Sequence, residues 1–131
     1  MTRPLDLPAR VLVCDDSEAL RFVVRASLDS QKDMTVVGEA ADGPSAVLLA
    51  SRESPDVIVL DLTMPGLSAE ALLPALRQSA PAAGVVLFSG MAPDRMNALA
   101  HGLDGVSQVP KASSPANLVR AVRAVRAAMA A

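Results

Sequence analysis

A small set of polar residues could share one chemical task, because each follows closely on a short apolar run of the sequence. The set consists of Asp15, Asp16, Asp61, Ser89 and Lys111. Three carboxylates that lie close together repel one another and need a cation to stay ionised at neutral pH. Mg²⁺ fits that need, since carboxylates, a carbonyl oxygen and water are its usual ligands. A nucleophilic carboxylate, a metal ion and an ammonium group are what phosphoryl transfer requires, and Asp61 is the candidate nucleophile.

These residues can meet only if the apolar runs form one sheet. The two central runs, VIVL and GVVLF, are apolar throughout, which is typical of parallel strands buried on both faces. We predict five strands, the second at an edge of the sheet: Arg10–Cys14, Thr35–Glu39, Val57–Leu60, Gly84–Phe88 and Gly105–Val109.

Amphipathic segments separate the strands, and each opens on a residue that favours a helix start. The predicted starts are Ser17, Pro44–Ser45, Ser68, Pro93 and Ser114–Pro115. The third helix runs through Leu76, with Pro74 expected to shorten or bend it, and the fourth ends at Gly102.

The last helix has an apolar face and a basic surface. Its apolar residues are Leu118, Val122, Val125 and Met129, and the predicted surface residues are Arg120, Arg123 and Arg126. Five strand–helix pairs in succession predict an α/β fold with a doubly wound parallel sheet and helices on both faces. Ligands bind beyond the carboxyl ends of the strands in such a sheet, which is where the polar set falls.

Composition excludes several classes of protein. The chain has 131 residues, half of them hydrophobic, and a net charge of -2, which fits one globular domain and argues against a nucleic-acid binder. A single cysteine, Cys14, and a single histidine, His101, exclude an internal disulfide and a zinc site built from such ligands. The start, MTRPLDLPAR, lacks the apolar core of a signal peptide, and no apolar run is long enough to span a membrane. A cytoplasmic protein is therefore expected.

With these residues in place, the sequence resembles the receiver domain of two-component response regulators. The resemblance covers the chain from about Arg10 to its end and rests on ordered motifs: Asp15-Asp16, Asp61 within DLTMPG, Ser89-Gly90 and Lys111. The segment Gly38–Gly43 (GEAADG) is most similar to the NarL/FixJ branch of that family. The resemblance implies a CheY-like, flavodoxin-like fold with strand order 2-1-3-4-5. It also implies a single domain over residues 1–131, in which residues 1–9 extend beyond the core.

The resemblance also implies the role of each site residue. Asp61 would accept a phosphoryl group from a histidine kinase or phosphotransfer protein. The chain would be no enzyme beyond catalysing its own phosphorylation and dephosphorylation. Lys111 would contact the phosphoryl oxygens, and Ser89 would move to donate a hydrogen bond to them. The implied ligands of Mg²⁺, or of Mn²⁺ in its place, are Asp15 partly through water, Asp16, Asp61 and the backbone carbonyl of Thr63.

Partners follow from the same resemblance. An output partner or output domain would read the surface made by the fourth helix, fifth strand and fifth helix, about Ala92–His101, Val106–Val109 and Leu118–Arg126. A phosphorylation-dependent dimer is the other implied assembly. No direct contact with nucleic acid or membrane is expected of this chain.

The sequence departs from the family pattern around the fifth strand. Receivers usually carry an aromatic switch residue there, whereas Val106 and Gln108 stand at the corresponding positions. Pro110 precedes Lys111 and Ala112 follows it, so the Lys-Pro cis bond of many receivers cannot form. We therefore expect switching to proceed through displacement of backbone and helices.

Two other functions remain open from the sequence. One is a phosphorylation-independent interaction module on the same fold. The other is a Mg²⁺-dependent aspartyl-phosphate phosphatase of the haloacid-dehalogenase type. Such enzymes need a second aspartate two residues after the nucleophile, where this chain has Thr63.

Overall fold

Strands and helices alternate along residues 4–130, which are the residues that the structure, a computed structural model, describes. The strands β1–β5 are Ala9–Cys14, Met34–Ala40, Val57–Leu60, Gly84–Ser89 and Val106–Pro110. The helices α1–α5 are Glu18–Asp29, Gly43–Glu53, Ala69–Ser79, Pro93–Ala100 and Pro115–Ala130. The predicted alternation of strands and helices is confirmed.

The five strands form one parallel sheet in the order β2-β1-β3-β4-β5. This confirms the expected fold class, with β2 at one edge. β2 pairs with one edge of β1, and after β2 the chain crosses to β3, which pairs with the opposite edge of β1. Such a reversal of winding opens a crevice beyond the carboxyl ends of the strands, and ligands bind there.

Two hydrophobic clusters hold the sheet between its helices. One lies under α2, α3 and α4 and includes the fully buried Leu12 and Leu72. The other lies under α1 and α5 and includes Val13, Leu28 and Val122. Leu12 and Val13 are neighbours in β1 that face opposite clusters, as the alternation of side chains along a strand requires. Each buried leucine or valine stabilises the fold by about 1.5–3 kcal/mol, so the strand ends are fixed from both sides.

Side chains cap three of the helices. Ser17, Asp42 and Ser68 each accept a hydrogen bond from the backbone N–H three residues further along the chain. The predicted starts at Ser17 and Ser68 are therefore confirmed. The second helix begins at Gly43, one residue before the predicted Pro44, because Asp42 caps it. The cap at Ser17 turns the chain into α1 directly after the Asp15-Asp16 pair.

Pro74 does not shorten the third helix, which runs past the predicted end at Leu76 to Ser79. A proline inside a helix costs about 3 kcal/mol through its lost hydrogen bond and its ring. Leu72, Leu73 and Leu76 are almost wholly buried on the helix side that faces the sheet, while Pro74 is exposed. The burial of three leucines outweighs the cost of the proline.

Two glycines with positive φ set the limits of α4 and β5. Gly102 (φ 77°) follows the end of α4 at Ala100, close to the predicted end. Gly105 (φ 71°) has a left-handed backbone that a strand cannot contain. The fifth strand therefore begins at Val106, one residue later than predicted.

Arg126 is not the surface residue that the sequence predicted. It is only 8% exposed, and its Nη2 donates a hydrogen bond to the carbonyl of Pro4 at 2.8 Å. Arg120 and Arg123 are exposed, as predicted. The predicted extension over residues 1–9 is thus partly tied to α5, and its last residue, Ala9, belongs to β1; residues 1–3 lie outside the described part of the chain. Within residues 4–130, no helix combines the length and apolar character needed to cross a bilayer.

Candidate functional site

The five polar residues singled out in the sequence meet at the carboxyl edge of the sheet. They follow or end four of the five strands, and parallel pairing brings those strand ends together. Asp15 and Asp16 follow β1, Asp61 follows β3, Ser89 ends β4, and Lys111 follows β5. The expectation that these side chains lie close together is confirmed by the distances between them.

Asp61 lies at the centre of this group and is 1% exposed. Its Oδ1 accepts three hydrogen bonds, from the N–H of Thr63 at 3.0 Å, the Thr63 hydroxyl at 2.7 Å and the Ser89 hydroxyl at 2.9 Å. Its Oδ2 accepts one from Lys111 Nζ at 2.8 Å. Both oxygens are therefore oriented by donors from two neighbouring strand ends and from the loop after β3.

Lys111 joins two of the carboxylates. Its Nζ lies 2.9 Å from Asp15 Oδ2 as well as 2.8 Å from Asp61 Oδ2. Asp15 is buried, and its Oδ1 accepts a hydrogen bond from the Ser17 N–H at 2.9 Å. The ammonium group thus bridges the ends of β1 and β3.

The three carboxylates form a group that could hold a metal ion. One oxygen from each of Asp15, Asp16 and Asp61 lies within 4.8 Å of the other two. Asp16 is exposed, whereas Asp15 and Asp61 are buried. Three carboxylates against one ammonium leave an excess of two negative charges, which a divalent cation with oxygen ligands would match.

Opposing effects act on the pKa values of the ion pair. Burial raises the pKa of the Asp61 carboxyl group, but hydrogen bonds from Lys111, Thr63 and Ser89 outweigh burial and hold it below its ordinary value. Burial also lowers the pKa of Lys111, but its hydrogen bonds to Asp61 and Asp15, and their charges, raise it above the usual value. Both groups are therefore ionised at neutral pH.

Some contacts of the site were not predicted from the sequence. Thr63 was implied only through its backbone carbonyl, yet its hydroxyl and N–H both bond to Asp61. The hydroxyl of Ser89 already bonds to Asp61 and also accepts from the N–H of Met91 at 3.2 Å. A hydroxyl two residues after a strand-end aspartate is the local feature that could have indicated the Thr63 contact.

One of the two unusual residues of β5, Gln108, lies beside this site. Gln108 donates a hydrogen bond from Nε2 to Oδ1 of Asn97 on α4. A cavity of about 370 Å³ lies next to it, lined by Ser89, Met91, Met96 and Pro110 among others. Val106, the other candidate, packs at the rim of the cluster under α2, α3 and α4.

Cys14 and His101 take no part in the site. Cys14 is buried in the core, and burial raises the pKa of its thiol far above the usual range, so the thiol is inert. His101 is exposed at the end of α4.

Comparison with known proteins identifies the family. The sequence profile of the response regulator receiver domain matches residues 11–123. The nitrate/nitrite response regulator protein NarL of Escherichia coli is 37% identical over 117 residues, which are 88% of this chain and 53% of NarL. The transcriptional regulatory protein LiaR of Bacillus subtilis is 37% identical over 86% of this chain and 54% of its own length. The chain thus spans about half the length of these curated relatives.

Solved structures agree with the sequence relatives. The receiver domain of the putative response regulator NarL from Mycobacterium tuberculosis superposes with a TM-score of 0.81 at 31% identity, covering 92% of this chain and 98% of that one. The response regulator domain of Thermotoga maritima CheB superposes with a TM-score of 0.77 at 33% identity, over 95% and 98% of the two chains. Both are receiver domains, as is the part of NarL and LiaR that the match covers.

Replacing Lys111 with methionine should destabilise the metal-free protein by about 2 kcal/mol at pH 7, because two buried carboxylates lose their shared cation. Lys111 holds the pKa of Asp61 below its ordinary value. Its stabilising contribution is therefore complete above the ordinary aspartate pKa and is lost as the pH falls through the lowered value. The difference in unfolding free energy should be constant from pH 5 to 7 and should shrink below about pH 4.

Urea unfolding in EDTA, followed by far-UV circular dichroism, measures this difference, since the chain has no Trp or Tyr. Lys32→Met is the matched control, because Lys32 is the other lysine of the chain and is exposed. It should change the free energy of unfolding by less than about 0.5 kcal/mol. A Lys111→Met effect of equal size at pH 7 and pH 3.5 would show that packing, not charge, is lost.

Proposed function

We propose that this chain, which belongs to the response regulator receiver domain family, is a switch operated by transfer of a phosphoryl group to Asp61. Receiver domains of this family interact with histidine kinases and with output domains. The observation that carries the proposal is the position of Asp61: its carboxylate is ionised, oriented by Thr63 and Ser89, and paired with Lys111.

The proposed step is a displacement at phosphorus. An oxygen of the Asp61 carboxylate forms the new bond to phosphorus while the phosphorus–nitrogen bond of the donor's phosphohistidine breaks. The electron pair of the broken bond stays on the imidazole nitrogen of the donor. Negative charge accumulates on the equatorial phosphoryl oxygens, and Lys111 is the ammonium group placed to neutralise it.

We assign Mg²⁺ to the carboxylate cluster, with Mn²⁺ as an alternative. The donor set is made of hard oxygen atoms and carries an excess of negative charge, which suits these ions. Asp16, Asp61 and the backbone carbonyl of Thr63 would be direct ligands, and Asp15 would act partly through water. When bound, the ion would supply positive charge to the phosphoryl oxygens.

Phosphorylation of Asp61 would give the Ser89 hydroxyl and the Lys111 ammonium group new hydrogen-bond acceptors. Ser89 and Lys111 bond to the free carboxylate. An acyl phosphate offers stronger acceptors further from the end of β3, so both donors would shift toward it. Ser89 is linked to the loop before α4 through the N–H of Met91, which would carry the shift to α4.

We infer that the output surface is formed by α4, β5 and α5. The hydrogen bond between Gln108 and Asn97 joins β5 to α4 at the position where other receivers carry an aromatic residue. The adjoining cavity gives the loop after β4 room to move toward the site. A kinase, an output domain or a second copy of the chain would be the partners of this domain, and its location would be cytoplasmic.

The phosphatase alternative gains no support from the site. Such an enzyme needs an acid/base group two residues after its nucleophile, and Thr63 instead donates two hydrogen bonds to Asp61. A phosphorylation-independent module remains the competing outcome of the experiments below.

Incubation of the protein with Mg²⁺ and acetyl phosphate should add one phosphoryl group, and Asp61→Asn should abolish the addition by removing the nucleophile. Intact-protein mass spectrometry measures the label. Asp94→Asn, which alters an exposed carboxylate on α4, is the control and should be labelled like the wild type. Label retained by Asp61→Asn would refute the assignment, and an unlabelled wild type would favour the phosphorylation-independent module.

Asp16→Asn should weaken Mg²⁺ binding about tenfold or more, since a direct anionic ligand is lost. Without metal, the same change should slightly raise the melting temperature, because one of three mutually repelling charges is removed. Isothermal titration calorimetry and thermal unfolding in EDTA measure the two effects. A Mg²⁺ titration equal to that of the wild type would exclude Asp16 as a ligand.

Beryllofluoride, a phosphoryl mimic, should shift the backbone amide resonances of Ser89, Gly90 and Lys111 and of residues across α4, β5 and α5. The reason is that both donors change acceptors and pull on the segments that carry them. Two-dimensional NMR measures the shifts, and the amide of Leu48 on α2 should stay unchanged as an internal control. Shifts confined to the loops around Asp15, Asp61 and Lys111 would contradict the proposed output surface.

A further inference from the structure

Arg21 on α1 connects the carboxylate cluster to the neighbouring strand. Its Nη1 donates a hydrogen bond to the backbone carbonyl of Asp15 at 2.6 Å, and its Nε donates to Glu39 Oε1 at 3.2 Å. The side chain is only 15% exposed. Arg21 is therefore held between the loop after β1 and the edge strand β2.

The carbonyl that Arg21 binds belongs to the peptide unit between Asp15 and Asp16. That unit is planar, so the direction of its carbonyl also fixes the direction of the Asp16 N–H and the position of the Asp16 Cα. Asp15 has other restraints, since its N–H bonds to Ala40 and its carboxylate bonds to Ser17 and Lys111. The Asp16 carboxylate accepts no hydrogen bond from any residue within 4–130 and is exposed.

Glu39 holds Arg21 in place. Glu39 lies on β2, opposite Val13 of β1, and its second oxygen accepts a hydrogen bond from Arg25 at 2.8 Å. Arg25 in turn pairs with Asp29 one turn along α1. The guanidinium group of Arg21 is thus fixed at two donors and its charge is balanced by a carboxylate, a geometry that a lysine could not reproduce.

We propose that Arg21 is a positioning residue for the metal site: by fixing the Asp15–Asp16 peptide, it holds the Asp16 carboxylate where a divalent cation binds. This inference depends on the proposed function, because it assumes that the cluster binds Mg²⁺. Arg21 does not contact the ion. Because Arg21 already fixes the Asp16 backbone, the ion does not have to order that backbone on binding. Ordering it would cost conformational entropy and so weaken binding.

Charge alone predicts the opposite effect. A positive residue next to a cation site repels the ion, so removing Arg21 should strengthen Mg²⁺ binding if its charge were all that mattered. Loss of a positioning contact should instead weaken binding by about tenfold. The direction of the change therefore separates the two explanations.

The experiment compares Mg²⁺ binding by the full chain with binding by Arg21→Gln, Arg21→Lys and Arg25→Gln, using isothermal titration calorimetry. Arg25→Gln is the matched control. It also removes one positive charge from α1 and one hydrogen bond to Glu39, but Arg25 does not contact Asp15. We expect the dissociation constant to rise about tenfold in Arg21→Gln, to rise less in Arg21→Lys, and to stay within about twofold in Arg25→Gln.

The rate of phosphorylation by acetyl phosphate provides a second measurement. In Arg21→Gln the Mg²⁺ concentration at half-maximal rate should rise about tenfold, while the rate at saturating Mg²⁺ should stay within about twofold. A general loss of structure would lower the rate at every Mg²⁺ concentration. If Arg21→Gln is poorly folded, the comparison of Arg21→Lys with Arg25→Gln decides the question.

Each outcome has one meaning. Binding by Arg21→Gln that is equal to or tighter than wild-type binding overturns the role of Arg21 and leaves the proposed function intact. An equal loss in Arg21→Gln and Arg25→Gln also overturns it, because the effect would then follow the shared partner Glu39. A wild-type protein that binds no Mg²⁺ refutes the metal site itself, and the inference falls with it.

Discussion

The ion pairs that Lys111 makes with Asp15 and Asp61 allow three carboxylates to lie side by side at the edge of the sheet. Without a cation, this part of the molecule would carry three like charges whose oxygens lie within 4.8 Å of one another. Lys111 offsets one of them and bridges the ends of β1 and β3. The remaining excess of negative charge makes the site fit a divalent cation, and the ammonium group is also what a phosphoryl group on Asp61 would need. Under the proposed function, the same side chain would serve the metal-free, metal-bound and phosphorylated states.

The fold provides this arrangement through the order of its strands. Because β1 and β3 are neighbours in a parallel sheet, Asp15 and Asp61 follow adjacent strand ends, and the N–H of Asp61 bonds to the carbonyl of Cys14 at 2.9 Å. Two hydrophobic clusters hold those strands from both faces. The repulsion between the carboxylates destabilises the fold. The burial of apolar side chains stabilises it by far more free energy, so the strand ends stay together. The exposed Asp16, by contrast, has no such support beyond its peptide link to Asp15.

Much of the site could be predicted from the sequence, because its residues occupy strand ends and strand ends follow from apolar runs. Other features depend on contacts between distant segments, which local patterns do not contain. The burial of Arg126 comes from the carbonyl of Pro4, far away in the chain. The continuation of α3 past Pro74 depends on how well its leucines pack against the sheet. The contacts of Arg21 were not predicted either. One of its acceptors is the backbone carbonyl of Asp15, and the other is the side chain of Glu39 on β2.

The absence of an aromatic residue on β5 changes how a signal would leave the site. An aromatic ring that moves between two rotamers gives a receiver two distinct surfaces, whereas Gln108 is joined to Asn97 by a hydrogen bond that water can replace at little cost. An exposed hydrogen bond of this kind contributes about 0.5–1.5 kcal/mol, which favours one position of α4 only slightly. The difference in free energy between the unphosphorylated and phosphorylated states would then come mostly from the carboxylate site. There, the hydrogen bonds from Ser89 and Lys111 would pass from the Asp61 carboxylate to the phosphoryl group. The surface of α4 and β5 would follow this exchange gradually, and a partner that binds one arrangement of α4 would supply the remaining selectivity.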